Sequence, residues 1–279
     1  MGTPSEAVAV IGCGKMGELL AAGMVRSGVR RPDQILVTDA DSVRVSEAVA
    51  RHGFVAPGGN PAAVGQAGTV ILAVKPKDVD AVLSEISPVA GGRLVVSIAA
   101  GISTAFLEDG LGDAGIVVRA MPNVASQVGE GITAICAGMR AGAEHLEVAR
   151  KLLESVGPVI VVAETYLDAV TAVSGSGPAY FALFAEAMID AGVTVGLSRD
   201  VAAQLVAQTM RGTAALLTDG RMTPVQVREA VTSPGGTTAM AVRELERAGV
   251  RAAVHDAVQA ALDQATKLGA GPPGRSRDA

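Results

Sequence analysis

Aromatic side chains are nearly missing from this 279-residue chain: they make up 2% of it, with no tryptophan, although 49% of the residues are hydrophobic. The core must therefore be aliphatic, and a nucleic-acid binder that stacks bases on aromatic platforms is disfavoured. An excess of positive charge is also missing. The net charge is -5 and no run of lysines and arginines occurs, so there is no electrostatic footprint for a phosphate backbone. Cys13 and Cys136 stand without a partner pattern, which fits a reduced, cytoplasmic protein better than a disulfide scaffold. His52, His145 and His255 are scattered, with no Cys or carboxylate at metal-ligand spacing, so no metal site is expected. The apolar runs break well before the ~18 residues of a membrane helix. The N-terminus lacks a basic region followed by a long apolar stretch, so no secretory signal is expected. The length implies about two domains, each able to bury a core.

The chain opens on an organising stretch, Ala7-Val8-Ala9-Val10-Ile11-Gly12-Cys13-Gly14-Lys15-Met16-Gly17. Five uninterrupted apolar residues read as a strand buried on both faces. Gly12, Gly14 and Gly17 follow in G-x-G-x-x-G order, and Met16, Leu19, Leu20, Gly23 and Met24 then recur at helical spacing. In a dinucleotide fingerprint the first glycine allows the tight turn, the second admits a pyrophosphate, and the third lets helix and strand pack closely. The phosphates sit at the helix N-terminus, where free N–H groups and the helix dipole favour an anion. In a chain with 34 glycines the motif alone is weak. Its placement between a strand and a helix gives it meaning.

A βα rhythm continues through Gln34–Val37, Gly53–Val55, Thr69–Val74, Arg93–Ile98, Ile116–Arg119, Ile132–Ala137 and Val159–Val162, with helical segments between. Asn60-Pro61 marks one helix start and Ser103 caps another. This alternation predicts an α/β fold: a Rossmann-type, mostly parallel sheet over residues 1–164, covered on both faces. Ligands of such sheets lie beyond the carboxyl ends of the strands, which sets Lys75-Pro76, Ala99-Ala100-Gly101 and Met121-Pro122-Asn123 on one rim with the glycine loop. Asp39 lies 22 residues beyond Gly17, close to the offset of about 20 for the acid that binds the adenosine ribose. A carboxylate there repels a 2′-phosphate and favours NADH. Arg44 could instead pair with that phosphate, favouring NADPH, and Asp39 could simply cap the helix starting near Asp41.

From about Tyr166 the strand pattern gives way to Ala-rich helices, predicting an all-helical domain over 165–268 and a disordered Gly/Pro-rich tail over 269–279. Pro178, Ser198, Thr223-Pro224 and Ser233-Pro234 read as helix starts, and a last helix covers about Ala252 to Leu268. Several of these helices are apolar nearly all round, which calls for burial against a second subunit. Ser174-Gly175-Ser176-Gly177-Pro178 and Ser233-Pro234-Gly235-Gly236-Thr237-Thr238 are hydroxyl-rich and glycine-opened. They are either plain connectors or an anion pocket facing the cofactor. Glu186 and Asp190 form an i,i+4 carboxylate pair that could hold Mg²⁺ in a ketol-acid reductoisomerase manner. No further ligands accompany them, so a solvated or interfacial face is expected.

Six blocks in order now carry a resemblance: IGCGKMG (11–17), AVKP (73–76), SIAAGI (97–102), RAMPN (119–123), DAVTAVSGSGPAY (168–180) and SPGGTT (233–238). From about Ala7 to Leu268 the chain resembles the pyrroline-5-carboxylate reductases. The last two blocks, together and at this spacing, are highly specific. The resemblance implies reduction of the cyclic imine 1-pyrroline-5-carboxylate to L-proline with NADH or NADPH, the last step of proline biosynthesis. It implies cofactor contacts from Gly12, Cys13, Gly14, Lys15, Met16 and Gly17, with Asn60, Ala73, Val74, Lys75 and Pro76 near the adenosine and Ala99, Ala100 and Asn123 bordering the nicotinamide. It also implies that Ser233, Gly236 and Thr237-Thr238, with Ser176, bind the substrate, Thr238 Oγ approaching the imine nitrogen. The helical domain would interlock two subunits, and in this family five dimers often form a decamer.

Two rival readings differ in class. β-Hydroxyacid dehydrogenases also follow a nucleotide domain with helices, but they use a lysine as acid/base, and this chain has no lysine between Lys151 and Lys267. A non-catalytic NAD(P)H sensor would not need the two hydroxyl-rich helix starts.

Overall fold

The computed structural model describes residues 6–269. The tail expected to be disordered lies, from Ala270 onward, outside the described residues, and Gly269 ends the last helix. The described chain forms two compact units, one holding residues 6–176 together with 261–269, the other Gly177–Ala260.

The first unit is a seven-stranded sheet. Its strands are β1 (Val8–Ile11), β2 (Ile35–Thr38), β3 (Thr69–Leu72), β4 (Leu94–Ser97), β5 (Ile116–Met121), β6 (Thr133–Ala137) and β7 (Val159–Val161), in the order β2-β1-β3-β4-β5-β6-β7. Every pairing is parallel except β5 with β6. Helices α1 (Lys15–Arg26), α2 (Ser42–His52), α3 (Asn60–Gln66), α4 (Val79–Ile86), α5 (Thr104–Leu111) and α6 (Ala143–Leu153) cover both faces. The alternation along β1 shows why its run is wholly apolar. Val8 and Val10 pack with Leu20 and Met24 of α1 and Leu152 of α6 on one face. Ala9 and Ile11 pack with Val64, Leu83, Ile86 and Leu107 from α3, α4 and α5 on the other.

Two expectations need correction. Gly53-Phe54-Val55 is not a strand: Val55 forms a single bridge with Leu36. Gly53, at φ +73°, ends α2, and Ala56-Pro57-Gly58 leave the chain little length and one missing donor for further pairing. Ser233-Pro234 does not begin a helix either. Gly236 N donates to Ser233 O at 3.0 Å and Gly235 takes φ +73°, so the segment turns first. The helix begins at Thr237.

Beyond β7 the first unit holds a short helix, α7 (Leu167–Val170), continued by a five-residue π-helical turn over Thr171–Gly175 that the sequence pattern did not reveal. Residues 165–176 belong to the same compact unit as the sheet. The second unit is helical: α8 (Gly177–Thr194), α9 (Arg199–Thr218), α10 (Pro224–Ala230), α11 (Thr237–Arg247) and the start of α12 (Val250–Gly269). Ser198 Oγ accepts from Val201 N, and Thr223 shares a reciprocal cap with Gln226. Large apolar side chains stand outside this unit's own packing, Phe181 66% and Leu183 68% exposed on α8. An area of that kind marks an association surface. No helix among the described residues is long and apolar enough to cross a membrane.

Candidate active site

The register aligns the strand ends, Ile11 beside Thr38 and Leu72, Leu72 beside Ser97, and Ser97 beside Arg119. The loops that follow therefore share one rim. Within the glycine loop the three glycines differ physically. At Gly12, φ is +104° and a Cβ would lie 2.7 Å from the Ala73 carbonyl oxygen. At Gly17 a Cβ would lie 1.9 Å from the Gly12 carbonyl oxygen. At Gly14 a Cβ would meet nothing within 4 Å, because that face opens into a cavity. Gly14 is also the N-cap of α1 and brings no side-chain cap, which leaves the first amides of the helix available to an anion.

The cavity measures about 940 Å³. Of the residues singled out from the sequence, Gly12, Gly14, Asp39, Asn60, Ala73, Val74 and Lys75 line it. Asp39 is locked in place: its Oδ2 accepts from Cys13 N at 2.7 Å and its Oδ1 from Asp41 N at 2.9 Å. Asp41, not Asp39, caps α2, accepting from Val43 N. Arg44 also lines the cavity, with its Nε 3.3 Å from Asp41 Oδ2. Asn60 is held from both sides, by Thr38 Oγ1 at 2.6 Å and Glu85 Oε2 at 2.8 Å. Thr38 and Glu85 line the cavity as well and carry no sequence signature of doing so.

The other predicted contacts stand apart from this cavity. The Cys13 side chain is buried, and burial, then the neighbouring Asp39 and Glu18 carboxylates, push its thiol up to about 11. It is a neutral packing group at physiological pH. Met16 packs against the core, Lys15 is exposed at the first turn of α1, and Pro76 is exposed beyond β3. Ala99 is buried and Ala100 half-buried beyond β4. Asn123 follows β5, its Nδ2 donating to Ser174 Oγ at 3.2 Å and Ser174 O at 3.4 Å, while its Oδ1 is buried without a partner.

A charged cluster lies at the same rim. Arg119 of β5, only 7% exposed, reaches Glu164 at 3.2 Å and Asp168 at 3.6 Å. Glu164 also accepts from Thr104 N at 2.7 Å and Thr104 Oγ1 at 2.5 Å, which ties the start of α5 to the chain beyond β7. These partners are 45 and 60 residues apart in sequence, and no local pattern foretells them.

In the second unit, Ser233, Gly236, Thr237 and Thr238 come together at one helix start. Gly236 is the N-cap of α11 and offers no side chain to its amides. A Cβ on Gly236 would lie 2.5 Å from Ser233 Oγ, so the hydroxyl occupies the space a larger residue needs. Ser176 sits at the end of the first unit, its N–H donating to Thr171 O at 2.9 Å across the π turn. Glu186 is exposed and Asp190 pairs with Arg199 at 2.8 Å. Among the described residues no group of three His, Cys, Asp or Glu side chains is placed to hold a metal.

A doubly wound sheet with a glycine loop, an open helix N-terminus and a cavity beyond the strand ends has the architecture of the dinucleotide-dependent oxidoreductases. Residues 7–101 match the family model described as NADP oxidoreductase coenzyme F420-dependent, and residues 164–268 match that of pyrroline-5-carboxylate reductase dimerisation. The pyrroline-5-carboxylate reductase of Mycobacterium tuberculosis is 42% identical over 94% of this chain and 96% of its own. A solved pyrroline-5-carboxylate reductase from Coxiella burnetii superimposes with a TM-score of 0.89 at 33% identity, over 95% of this chain and 99% of its own. The NADP-bound pyrroline carboxylate reductase of Plasmodium falciparum gives 0.85 at 29% identity, over 96% and 100%. The chain belongs to the pyrroline-5-carboxylate reductase family, and its helical region is a dimerisation domain.

Proposed function

We propose that this protein reduces 1-pyrroline-5-carboxylate to L-proline, the final step of proline biosynthesis. The observation that carries the reading is relatedness over 94% of the chain to a reductase of that name. When bound, the nicotinamide cofactor supplies the hydride. The chain's own residues bind, orient and donate. The open N-terminus of α1 and Gly14 take the pyrophosphate, and Asp39 takes the ribose, since each carboxylate oxygen keeps a lone pair beyond the amide it already accepts. The free amides of α11, with the Ser233 and Thr237 hydroxyls, suit a carboxylate. Addition of hydride to the imine carbon is balanced by a proton on nitrogen, so the substrate nitrogen needs a donor more than a strong base. Thr238 Oγ–H fills that role as an orienting hydrogen-bond donor while water supplies the proton itself, with Ser176 as a further substrate hydroxyl.

The test of these roles is Thr238→Ala. Loss of one oriented donor lowers kcat by roughly 100-fold, while the Kd for the cofactor stays within about twofold. Steady-state kinetics beside a cofactor titration measures both, and unchanged turnover removes Thr238 from the chemistry.

The same reading favours NADH. Asp39 presents a locked negative charge and Asp41 already engages Arg44, so a 2′-phosphate meets two carboxylates and a preoccupied guanidinium. The expected kcat/KM ratio is about tenfold in favour of NADH, and Asp39→Ser shrinks it. A wild-type enzyme that prefers NADPH contradicts this assignment. The exposed helical face of the second unit supports a homodimer, and we extend the reading to a decamer of five dimers and to a cytoplasmic location, the latter on its two buried free thiols.

A further inference from the structure

Alternate residues of one strand point to the same face, and along β5 and its exit three such residues meet one distant segment. Arg119 binds Glu164 and Asp168. Met121 joins the apolar cluster that holds Leu167 and Val170, and its Cε would lie 3.1 Å from a Cβ placed on Gly175. Asn123 donates from Nδ2 to both the carbonyl and the hydroxyl of Ser174. The segment so gripped includes the π-helical turn Thr171–Gly175. A π turn leaves the local backbone pairing irregular and is retained where a function needs it. Here the Asn123 carboxamide caps the Ser174 carbonyl from outside the helix, two residues before Ser176.

We infer that Asn123 and Ser174 form a latch that positions the Ser176 hydroxyl for the substrate. Asn123 is then a positioning residue acting through Ser174, and its Nδ2 is the working atom. This rests on the proposed reduction of pyrroline-5-carboxylate. The Nδ2 is spent on the protein itself, so this role is distinct from a contact with the nicotinamide, for which the partnerless Oδ1 remains. Met121 and the Arg119 pairs hold the same segment from the sheet side, so the latch sets the last turn without carrying the fold.

Three variants of the full-length chain test it: Asn123→Leu, which keeps the volume, removes the Nδ2 donor and offers the Ser174 hydroxyl no new partner, Ser174→Ala, and the two combined. Hydrogen exchange of the amides over 171–178 is expected to quicken by about fivefold or more in each single variant, the effect of one lost hydrogen bond. The double variant is no faster than the Asn123 variant alone, because Ser174→Ala removes one of the two bonds that the Asn123 variant already removes together. In steady state the KM for pyrroline-5-carboxylate rises by a similar factor while the Kd for NADH stays within about twofold. Unchanged exchange over 171–178 overturns the latch whether or not the enzyme turns over this substrate. A weaker NADH Kd with unchanged KM also overturns it, and returns Asn123 to the nicotinamide. A wild-type chain without activity on pyrroline-5-carboxylate sinks the functional reading alone, since exchange still judges the latch.

Discussion

Replacing Gly14 by valine cuts dinucleotide binding and leaves the fold as stable as before; replacing Gly17 by alanine destabilises the fold itself. The contrast follows from what each new side chain meets. At Gly14 the backbone sits at φ -70°, open to any residue, and a Cβ finds nothing within 4 Å. Valine there is cheap for the apo fold and projects branched carbon into the approach of the pyrophosphate. We expect affinity for NADH to fall by at least about 100-fold, some 2.7 kcal/mol, with Tm unchanged. At Gly17 a Cβ would stand 1.9 Å from the Gly12 carbonyl oxygen, so α1 must move away from β1. Overpacking of a rigid contact costs about 1–3 kcal/mol or more, and Tm falls. Thermal melts beside a fluorescence titration of NADH separate the two, and a Gly14→Val protein that still binds NADH would mean the loop does not hold the pyrophosphate.

Arg119→Met is the second large effect. Its guanidinium is the charge partner of both Glu164 and Asp168, and it is 7% exposed. Removing one side of a fully buried pair costs about 3–5 kcal/mol, because the other charge is left uncompensated. The two carboxylates are each 31% exposed, so water recovers part of that and roughly 2–3 kcal/mol is expected. In a chain of this length that corresponds to a Tm lower by about 5–10 °C. Glu164→Gln is milder, since the amide oxygen can still accept from Thr104. Equal stability of Arg119→Met and wild type contradicts a structural role for the cluster.

The sheet was legible from sequence because its signal is local. Runs such as Val8–Ile11 and Val70–Leu72 are apolar at every position, as expected of strands buried on both faces. Glycine spacing marked the turn into α1, and Ser103, Ser198 and Thr223 marked helix starts through their own hydroxyls. The corrections fall where local chemistry was ambiguous. Ser-Pro fits both a helix start and a turn, and at Ser233 the positive φ of Gly235 makes it a turn. A three-residue apolar run at Gly53-Phe54-Val55 cannot reveal that only Val55 pairs. What sequence could not show at all is contact across distance: the Arg119 cluster, the Asn123–Ser174 pair, and the lock of Asp39 onto the Cys13 amide, 26 residues apart. The candidate cofactor residues illustrate the same divide. Gly12 and Gly14 after β1, Asp39 after β2 and Ala73, Val74 and Lys75 after β3, together with Asn60, line the cavity, whereas Cys13 and Met16, adjacent to Gly14 in sequence, pack against the core.

The central claim is the reaction, and one measurement tests it most directly: the fall in NADH absorbance when 1-pyrroline-5-carboxylate is added to the wild-type chain, with L-proline quantified at the end. The account predicts saturable oxidation of NADH and one proline formed per NADH consumed, with no turnover of 3-hydroxy acids under NAD⁺. NADH that stays reduced in the presence of the imine, from a protein shown by titration to bind the cofactor, would contradict it.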